Sequence, residues 1–559
     1  MFSDRRIIGH ITIILAILSL ACGKAISFDQ AVITIDSNTR FQTITGWEAV
    51  AQVGQSDFIN EFKSWRDKAL DQAAELGINR LRVPVRSGSE NPVDYFQLLL
   101  DNQITIAEFR RARYEIINDN GDSHSINSDG FHFTEMDFHI DNVVLPLKQR
   151  LEAAGETLLI NVNYTDFEGS SFEHKNNPDE YAEFVLATYR HLQRKYGWTP
   201  DFWEMILEPD NSGWTARQVA DCIVAAGERL EAAGFKPAFI APSTVNMRNA
   251  STYFDTIKET PGALKYLKEI SYHRYGGVSD SNLRAIADRA TANNINASML
   301  EHIGADHETL HKDLAMGRNS AWQQFTIAFP TSDNGAQYLL VDREDPSNPQ
   351  VRIASRTKFL RQYFKFIRHG AVRLGATSNT AAAEPLCFRN KDGKYVVVVK
   401  ASSGGAISIQ GLPPGIYGIK YTTGSQYDID APDVTISSGQ PLETNIPNAG
   451  VITIYGKQAG GAPPPPDGRA IVEQCILKRT PTGAFRLSVT GSNFKSGAEV
   501  TVGGVEPKKV KFKNRESAGE GIFRRLVLKK VCAGLPGDVI VTNPGAPPSA
   551  PFRCNESCQ

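Results

Sequence analysis

The stretch "DFWEMILEPDNSGW", Asp201 to Trp214, carries a glutamate, Glu208, to the end of an apolar run, and Pro209 then stops the run at a polar loop. Further on, "NASMLEHIG" repeats the arrangement: Glu301 closes an apolar run and a glycine follows just beyond. Two carboxyl groups facing one gap are what cleavage of a glycosidic bond needs. One protonates the leaving oxygen, and the other acts as nucleophile or as base for water. A single glutamate at a strand end is more often an exposed or ion-paired side chain, but two at matching positions favour the paired reading. Side chains alternate along a strand, so Glu208, Ile206 and Glu204 are expected on one face, with Leu207 and Met205 on the other.

Such a pair has to be held by scaffold. Between Gln42 and about Ala376 the chain alternates short β-rich runs with segments of helical period, the mark of βα units around a parallel sheet. The strand candidates are "FQTITGW", "NRLRVPV", "TLLINVNY", "FWEMILE", "AFIAPST", "EISYHRY", "NASMLEH" and "QQFTIAF", eight in all. This predicts an α/β fold, a closed (β/α)8 TIM barrel whose site lies at the C-terminal ends of the strands. Glu208 and Glu301 then sit on the fourth and seventh strands. Arg82 in "LRVP", Asn163 in "NVNY", and His273 and Tyr275 in "SYHRY" reach the same rim, Asn163 suited to sugar hydroxyls. Trp47 and Trp214 offer faces on which a sugar stacks, although a buried tryptophan is the commoner outcome.

The remaining organisation follows from texture. Residues 1–25 have the layout of a secretory signal, Arg5 and Arg6 before an apolar run and then small residues, with lipidation at Cys22 and cleavage after Ala25 as alternatives. Residues 26–45 are expected to pair with a β-sandwich side domain at 379–457, after a barrel at 46–378. A Gly and Pro linker, 458–469, leads to a last β domain at 470–559. The 559-residue chain, 41% hydrophobic, carries a formal net charge of -2, which argues against a nucleic-acid binder driven by overall charge. From Ala470 onward, 14 Lys and Arg stand against 7 Asp and Glu, a basic end module whose bland reading is a solvated face. Cys475, Cys532, Cys554 and Cys558 crowd into that module, which reads as one or two disulfides of an exported protein with three pairings open. Cys222 and Cys387 read as inert buried thiols.

Several of these stretches share a resemblance. "FQTITGWEA" resembles the opening Q-x-I-x-G-F-G of glycoside hydrolase family 30, "WEMILEP" its W-E-I-x-N-E-P, and "SMLEHIG" its nucleophile strand. "FLRQYFKFIRHGAVRLGA" followed by "CFRNKDGKYVVVVK" resembles its last barrel helix and first sandwich strands, and is the most distinctive match. The chain is thus similar to the clan-A retaining glycoside hydrolases, family 30 above all, with family 39 as its neighbour. The resemblance implies Glu208 as acid/base, Glu301 as nucleophile, Arg82 orienting that nucleophile and Tyr275 donating to it. It implies a covalent glycosyl-enzyme and an extracellular β-linked glycan as substrate. The chain departs from the family at Leu207, where these enzymes carry an Asn that binds the sugar 2-hydroxyl, and at Trp47-Glu48 in place of Phe-Gly. "RLSVTGSNFKSGAEVTVGG" and "VIVTNPGAPPSAPFRC" resemble immunoglobulin-like IPT/TIG domains, which implies a sandwich and no chemistry.

Two rivals remain. "HETLH", His307 to His311, matches the zinc pattern H-E-x-x-H, but it falls where the helix after the seventh strand belongs and no third ligand stands out. A non-catalytic carbohydrate-binding protein on a decayed glycosidase barrel is favoured by Leu207 and opposed by the retention of both glutamates. No nucleotide or serine-hydrolase motif is present, and no cofactor or metal is expected. The expected partner is a carbohydrate, bound by a monomer that is secreted or tethered at the cell envelope.

Overall fold

The structure is a computed structural model that describes residues 27–167, 170–457, 469–480, 484–515, 522–529, 531–555 and 557–558. The signal segment with Cys22 and Ala25, and residues 458–468 of the linker, lie outside the described residues.

A long first strand, β1 (Ser27–Thr43), precedes eight strands that close on themselves: β2 (Gly46–Val50), β3 (Arg80–Arg86), β4 (Leu159–Thr165), β5 (Phe202–Glu204), β6 (Phe239–Asn246), β7 (Leu267–Gly276), β8 (Asn296–Glu301) and β9 (Asn319–Phe329). Neighbours pair in parallel all the way round, and β9 closes onto β2 through Trp47 opposite Trp322. This is the expected TIM barrel. The helices that follow the strands are amphipathic; Pro178–Tyr196 buries Tyr181, Phe184, Val185 and Leu192, starts on Pro178 and ends on Gly197 in the left-handed region. Two strands were not anticipated: β10 (Gln337–Asp342) adds in parallel to β9, and β11 (Gln350–Ile353) returns antiparallel to it.

The candidate "FQTITGW" divides, its first half ending β1 and its last two residues opening β2. β1 belongs to a second layer with β12 (Val372–Ser378), β13 (Ala383–Arg389), β14 (Tyr395–Ala401), β15 (Gly404–Gln410), β16 (Gly415–Thr423), β17 (Ile429–Ile436), β18 (Leu442–Ile446) and β19 (Gly450–Gly456), in the order β17-β16-β19-β14-β13-β12-β1-β15-β18. This β-sandwich therefore takes in Val372–Ser378, a little earlier than residue 379. Its own core includes Ile33, Val397, Ile407, Ile419 and Ile452. The helix Thr357–Phe364 joins it to the barrel, Gln362 donating to Thr422 Oγ1 at 3.0 Å and accepting at its carbonyl from Thr453 at 2.7 Å.

The last module holds two sheets. One has the order β20 (Ile471–Arg479), β21 (Phe485–Lys495), β24 (Ile522–Lys529), β23 (Lys509–Arg515), and the other β22 (Glu499–Val502), β25 (Gly537–Thr542), β26 (Phe552–Cys554). Of the three pairings left open by the sequence, Cys475–Cys554 and Cys532–Cys558 are formed. Cys222 and Cys387 are free and buried, and burial pushes both thiols well above the ordinary cysteine range. Among the described residues no helix is long and apolar enough to cross a membrane.

Candidate active site

The barrel interior is polar at the level of the strand starts. Glu48 on β2, Arg80 on β3, Asn161 on β4, Glu204 on β5 and Glu269 on β7 are all fully buried. Arg80 pairs with Glu48 and, at 2.8 Å, with Glu269, while Asn161 donates to Glu204 at 3.0 Å. Three carboxylates round one guanidinium leave Glu48 pushed up to about 7, first by burial and, against the pull of Arg80, by Glu204 and Glu269. Glu48 occupies the inward position, so Trp47 beside it points the other way. Trp47 stacks on Phe364 at 4.6 Å and donates its indole N–H to Ile367 O at 2.7 Å, fully buried. The expectation that Trp47 contacts substrate is therefore corrected: it packs between barrel and outer helix. Trp214 is likewise core, edge-on to Tyr164 and Tyr181.

One layer higher, at the C-terminal ends, the expected residues converge. Arg82, one pleat along β3 from Arg80, forms an ion pair with Glu301 at the tip of β8 and donates to Leu300 O at 3.3 Å. Tyr275, near the end of β7, donates its hydroxyl to the other Glu301 oxygen at 3.1 Å and accepts from the Ile303 N–H at 3.1 Å. Burial alone would raise the Glu301 carboxyl; the charges of Arg82 and His273 and the two hydrogen bonds overrule it and hold the group below the ordinary glutamate value. Burial and the Glu301 charge push the Tyr275 hydroxyl well up, so it stays a donor at neutral pH.

Glu208 is 9% exposed and is held at both oxygens: His273 Nδ1 lies 3.0 Å from Oε1, and Asn211 Nδ2 donates to Oε2 at 3.1 Å. The sequence placed Glu208 on a continuing strand. In the structure the pairing of β5 ends at Glu204, and Glu208 adopts φ 55° in the left-handed region, an arrangement that costs roughly 1–3 kcal/mol for a residue with a side chain. Backbone bonds fix it there. The Leu207 N–H donates to Tyr164 O at 2.9 Å, the Glu208 N–H to Ser243 O at 3.1 Å, and the Asn211 N–H back to Glu208 O at 2.9 Å. Asp210 anchors the same turn by accepting from the Val245 and Asn246 N–H groups at 2.8 and 3.1 Å. Asn211 and Asp210 were missed in the sequence, although the turn-rich "EPDNSG" marks the loop that carries them.

Asn163 is buried on β4, its Oδ1 accepting from Thr165 at 3.0 Å while Nδ2 finds no acceptor; His273 Nε2 is buried and unpartnered in the same way. Glu208, His273 and Glu301 each bring a ligand-type atom within 4.8 Å of the others. The trio has a metal-like spacing, yet Arg82 and Tyr275 already occupy the Glu301 oxygens, and a second cation there would have to displace the first. The "HETLH" histidines form no zinc centre: His311 is pushed down to about 3 by burial and bonds Tyr363 Oη at 2.9 Å, and His307 stacks on Phe359 at 4.4 Å. A cleft of about 330 Å³ lined by Arg40, Phe41, Asn296 and Arg318 lies at the opposite ends of the strands and holds neither carboxylate.

The fold is similar to those of several solved glycoside hydrolases. The catalytic domain of a GH30 xylanase C from Talaromyces cellulolyticus matches with a TM-score of 0.55 at 15% identity, over 76% of this chain and 100% of that one. A GH30 endoxylanase from Clostridium papyrosolvens matches at 0.54 and 15% identity, over 76% of this chain and 99% of that one. An endo-β1,6-glucanase matches at 0.53 and 14% identity, over 76% of this chain and 94% of that one. At these identities the likeness is one of fold. No protein-family model matches the chain, and no curated protein matches it.

Proposed function

We propose that the protein is a retaining glycoside hydrolase that cleaves β-linked sugars outside the cytoplasm, with Glu301 as nucleophile and Glu208 as acid/base. The observation that carries this reading is the spacing: one carboxylate oxygen of Glu208, on the turn after β5, and one of Glu301, at the tip of β8, lie within 4.8 Å of each other. Retaining pairs stand roughly 5–5.5 Å apart, whereas inverting pairs need roughly 6.5–9.5 Å to admit a water. The two carboxyls also have opposite surroundings, one held anionic by an arginine, the other braced by a histidine and an amide.

In the first step the ionised Glu301 attacks the anomeric carbon. The C–O bond to the leaving group breaks, and the proton of Glu208 passes to the departing oxygen. In the second step Glu208, now a carboxylate, takes a proton from water, whose oxygen displaces Glu301 and frees the sugar with its configuration retained. Arg82 keeps Glu301 ionised and aimed. Tyr275 donates to the same carboxylate and steadies its charge. The unpartnered Asn163 Nδ2 and His273 Nε2 supply donors for sugar hydroxyls. The family 30 neighbours support a β-glycan as substrate class; the two disulfides support export. We assign residues 470–559 to the IPT/TIG-like sandwiches, a reading supported by their two small sheets.

Leu207 favours a second reading, a glycan-binding barrel without turnover, because its side chain offers no donor at the place where clan-A enzymes bind the 2-hydroxyl. Hydrolysis of a panel of aryl β-glycosides and β-glycans by the full chain, beside Glu208→Ala and Glu301→Ala, separates the two. Turnover abolished by both substitutions, with azide restoring it to Glu301→Ala as an inverted glycosyl azide, is the expected result. Glycan binding without hydrolysis, unchanged in both variants, would establish the binding protein instead.

A further inference from the structure

A second group of acidic side chains is gathered away from the carboxylate pair. Asp119 lies in the long loop after β3, and Glu180 and Glu183 lie near the start of the helix Pro178–Tyr196 that follows β4. One carboxylate oxygen from each falls within 4.8 Å of the other two. Glu183 is 1% exposed, and no donor reaches either of its oxygens. Glu180 Oε2, Asp119 Oδ1 and the amide Oδ1 of Asn118 are buried without a donor as well. Asn118 braces the group from one side, its Nδ2 donating to Glu180 Oε1 at 3.4 Å. Asp119 spends its other oxygen on its own loop, where Oδ2 accepts from the Asn127 N–H at 2.5 Å and from Asn120 at 2.9 Å. What remains is three carboxylates from two chain segments, gathered within 4.8 Å of one another, and among the described residues no Lys or Arg side chain forms an ion pair with any of them.

Buried polar atoms are almost always satisfied, and buried charges are paired or coordinate a metal. The interior glutamates Glu48, Glu269 and Glu301 have such answers in Arg80 and Arg82, whereas both Glu183 oxygens have none. We propose that Asp119, Glu180 and Glu183 bind a divalent cation of the calcium class, which clamps the loop after β3 to the helix after β4. The gathered donors are all carboxylate oxygens, and among the described residues no histidine or cysteine joins them, which selects a hard cation over zinc or copper. Calcium takes oxygens at about 2.3–2.6 Å, so twice its reach spans the spread of the three carboxylates. The crowding has the expected electrostatic mark: burial, Asp119 and Glu180 together push the Glu183 carboxyl up to about 8.

The clamp connects to the rim of the barrel. The Asp119 N–H donates to Glu90 Oε1 at 3.1 Å, Glu90 Oε2 lies 2.7 Å from His174 Nε2, and His174 Nδ1 lies 2.8 Å from Tyr164 Oη. Tyr164 is the β4 residue whose carbonyl accepts from Leu207, next to Glu208. An ion at the cluster is thus linked through Glu90, His174 and Tyr164 to the backbone beside Glu208, whatever reaction the carboxylate pair performs.

The test uses the full chain stripped with a chelator, titrated calorimetrically with calcium chloride and, for comparison, magnesium chloride, with thermal unfolding followed in parallel. The expected result is one calcium equivalent, a rise in Tm, and affinity weakened at least ~10-fold in Glu183→Gln and in Asp119→Asn, each of which removes an anionic ligand. Absence of uptake with an unmoved Tm overturns the proposal, as does uptake that both variants leave unchanged. A Glu183→Gln variant more stable than the parent in saturating calcium would point instead to a proton shared by Glu180 and Glu183. Should neither variant fold, limited proteolysis of the parent between residues 115 and 130 decides: protection by calcium supports the clamp, and indifference to calcium refutes it.

Discussion

Arg82→Met isolates the charge that holds the proposed nucleophile ionised. Arg82 is 2% exposed and Glu301 8%, so water screens their contact poorly. At ion-pair distance and an effective dielectric near 20 the attraction is ~4 kcal/mol, equivalent to about three pK units on the carboxylate. With Arg82 gone, burial acts unopposed by its largest counterweight and the Glu301 carboxyl rises from below the ordinary range to above it. In the parent, whose folded value is depressed, the pair stabilises the fold above the unfolded glutamate pKa, and that contribution fades as pH falls through the folded value. The stability gap between parent and variant should therefore be widest near neutrality and close toward acid. The acid limb of the kcat/KM profile should move up by ~2–3 units, and kcat/KM at its optimum should fall by ~10²–10³. A pH–rate series on an aryl glycoside with both proteins reads this directly. A variant whose acid limb stays within about half a unit of the parent's would refute the assignment of Arg82 as the residue that keeps Glu301 ionised.

Tyr275→Phe removes one donor to Glu301 from a side chain that is 41% exposed; kcat should drop ~10–100-fold while stability changes by under ~1 kcal/mol, checked by steady-state kinetics beside urea unfolding. Trp47→Phe should leave KM unchanged and lower stability by ~1–3 kcal/mol, since it deletes the bond to Ile367 O and part of the stack on Phe364; a raised KM with unchanged stability would return Trp47 to the substrate. Glu48 holds its proton up to about 7 in the folded chain, so folding loses stability as pH rises from the unfolded glutamate value to that point and levels off above it, ~3 kcal/mol in all. Glu48→Gln should remove that decline, and thermal unfolding between pH 4 and 8 that still falls as steeply would contradict it.

The barrel was legible because eight β-rich runs separated by helical periods leave few other architectures; Glu208, Glu301, His273 and Tyr275 were legible because each ends or nearly ends a run, and Arg82, in mid-strand, only through the family resemblance. The inward face of each strand was not. Parallel barrel strands are buried on both sides and read as continuous apolar runs, so nothing in "GWEAV" says that Glu48 looks inward and Trp47 outward. The short β5 shows a second limit: residues 205–208 look like strand, but their backbone bonds go to β4 and β6 through a left-handed turn that only three-dimensional context specifies. Asn211 sits in a loop where one polar residue resembles the next. The Asp119, Glu180 and Glu183 cluster joins segments far apart in the chain, and no local spacing announces it. The cysteine pairing was open for the same reason and is closed only by the folded module, where Cys475 on β20 meets Cys554 on β26 and Cys532 meets Cys558.

The central claim, a two-step displacement at Glu301, is tested most directly by proton NMR of the first-formed sugar during hydrolysis of a β-glycoside. Appearance of the β-anomer first, with the α-anomer growing in only by mutarotation, is the predicted result. Initial release of the α-anomer would mean a single displacement by water and would contradict the account.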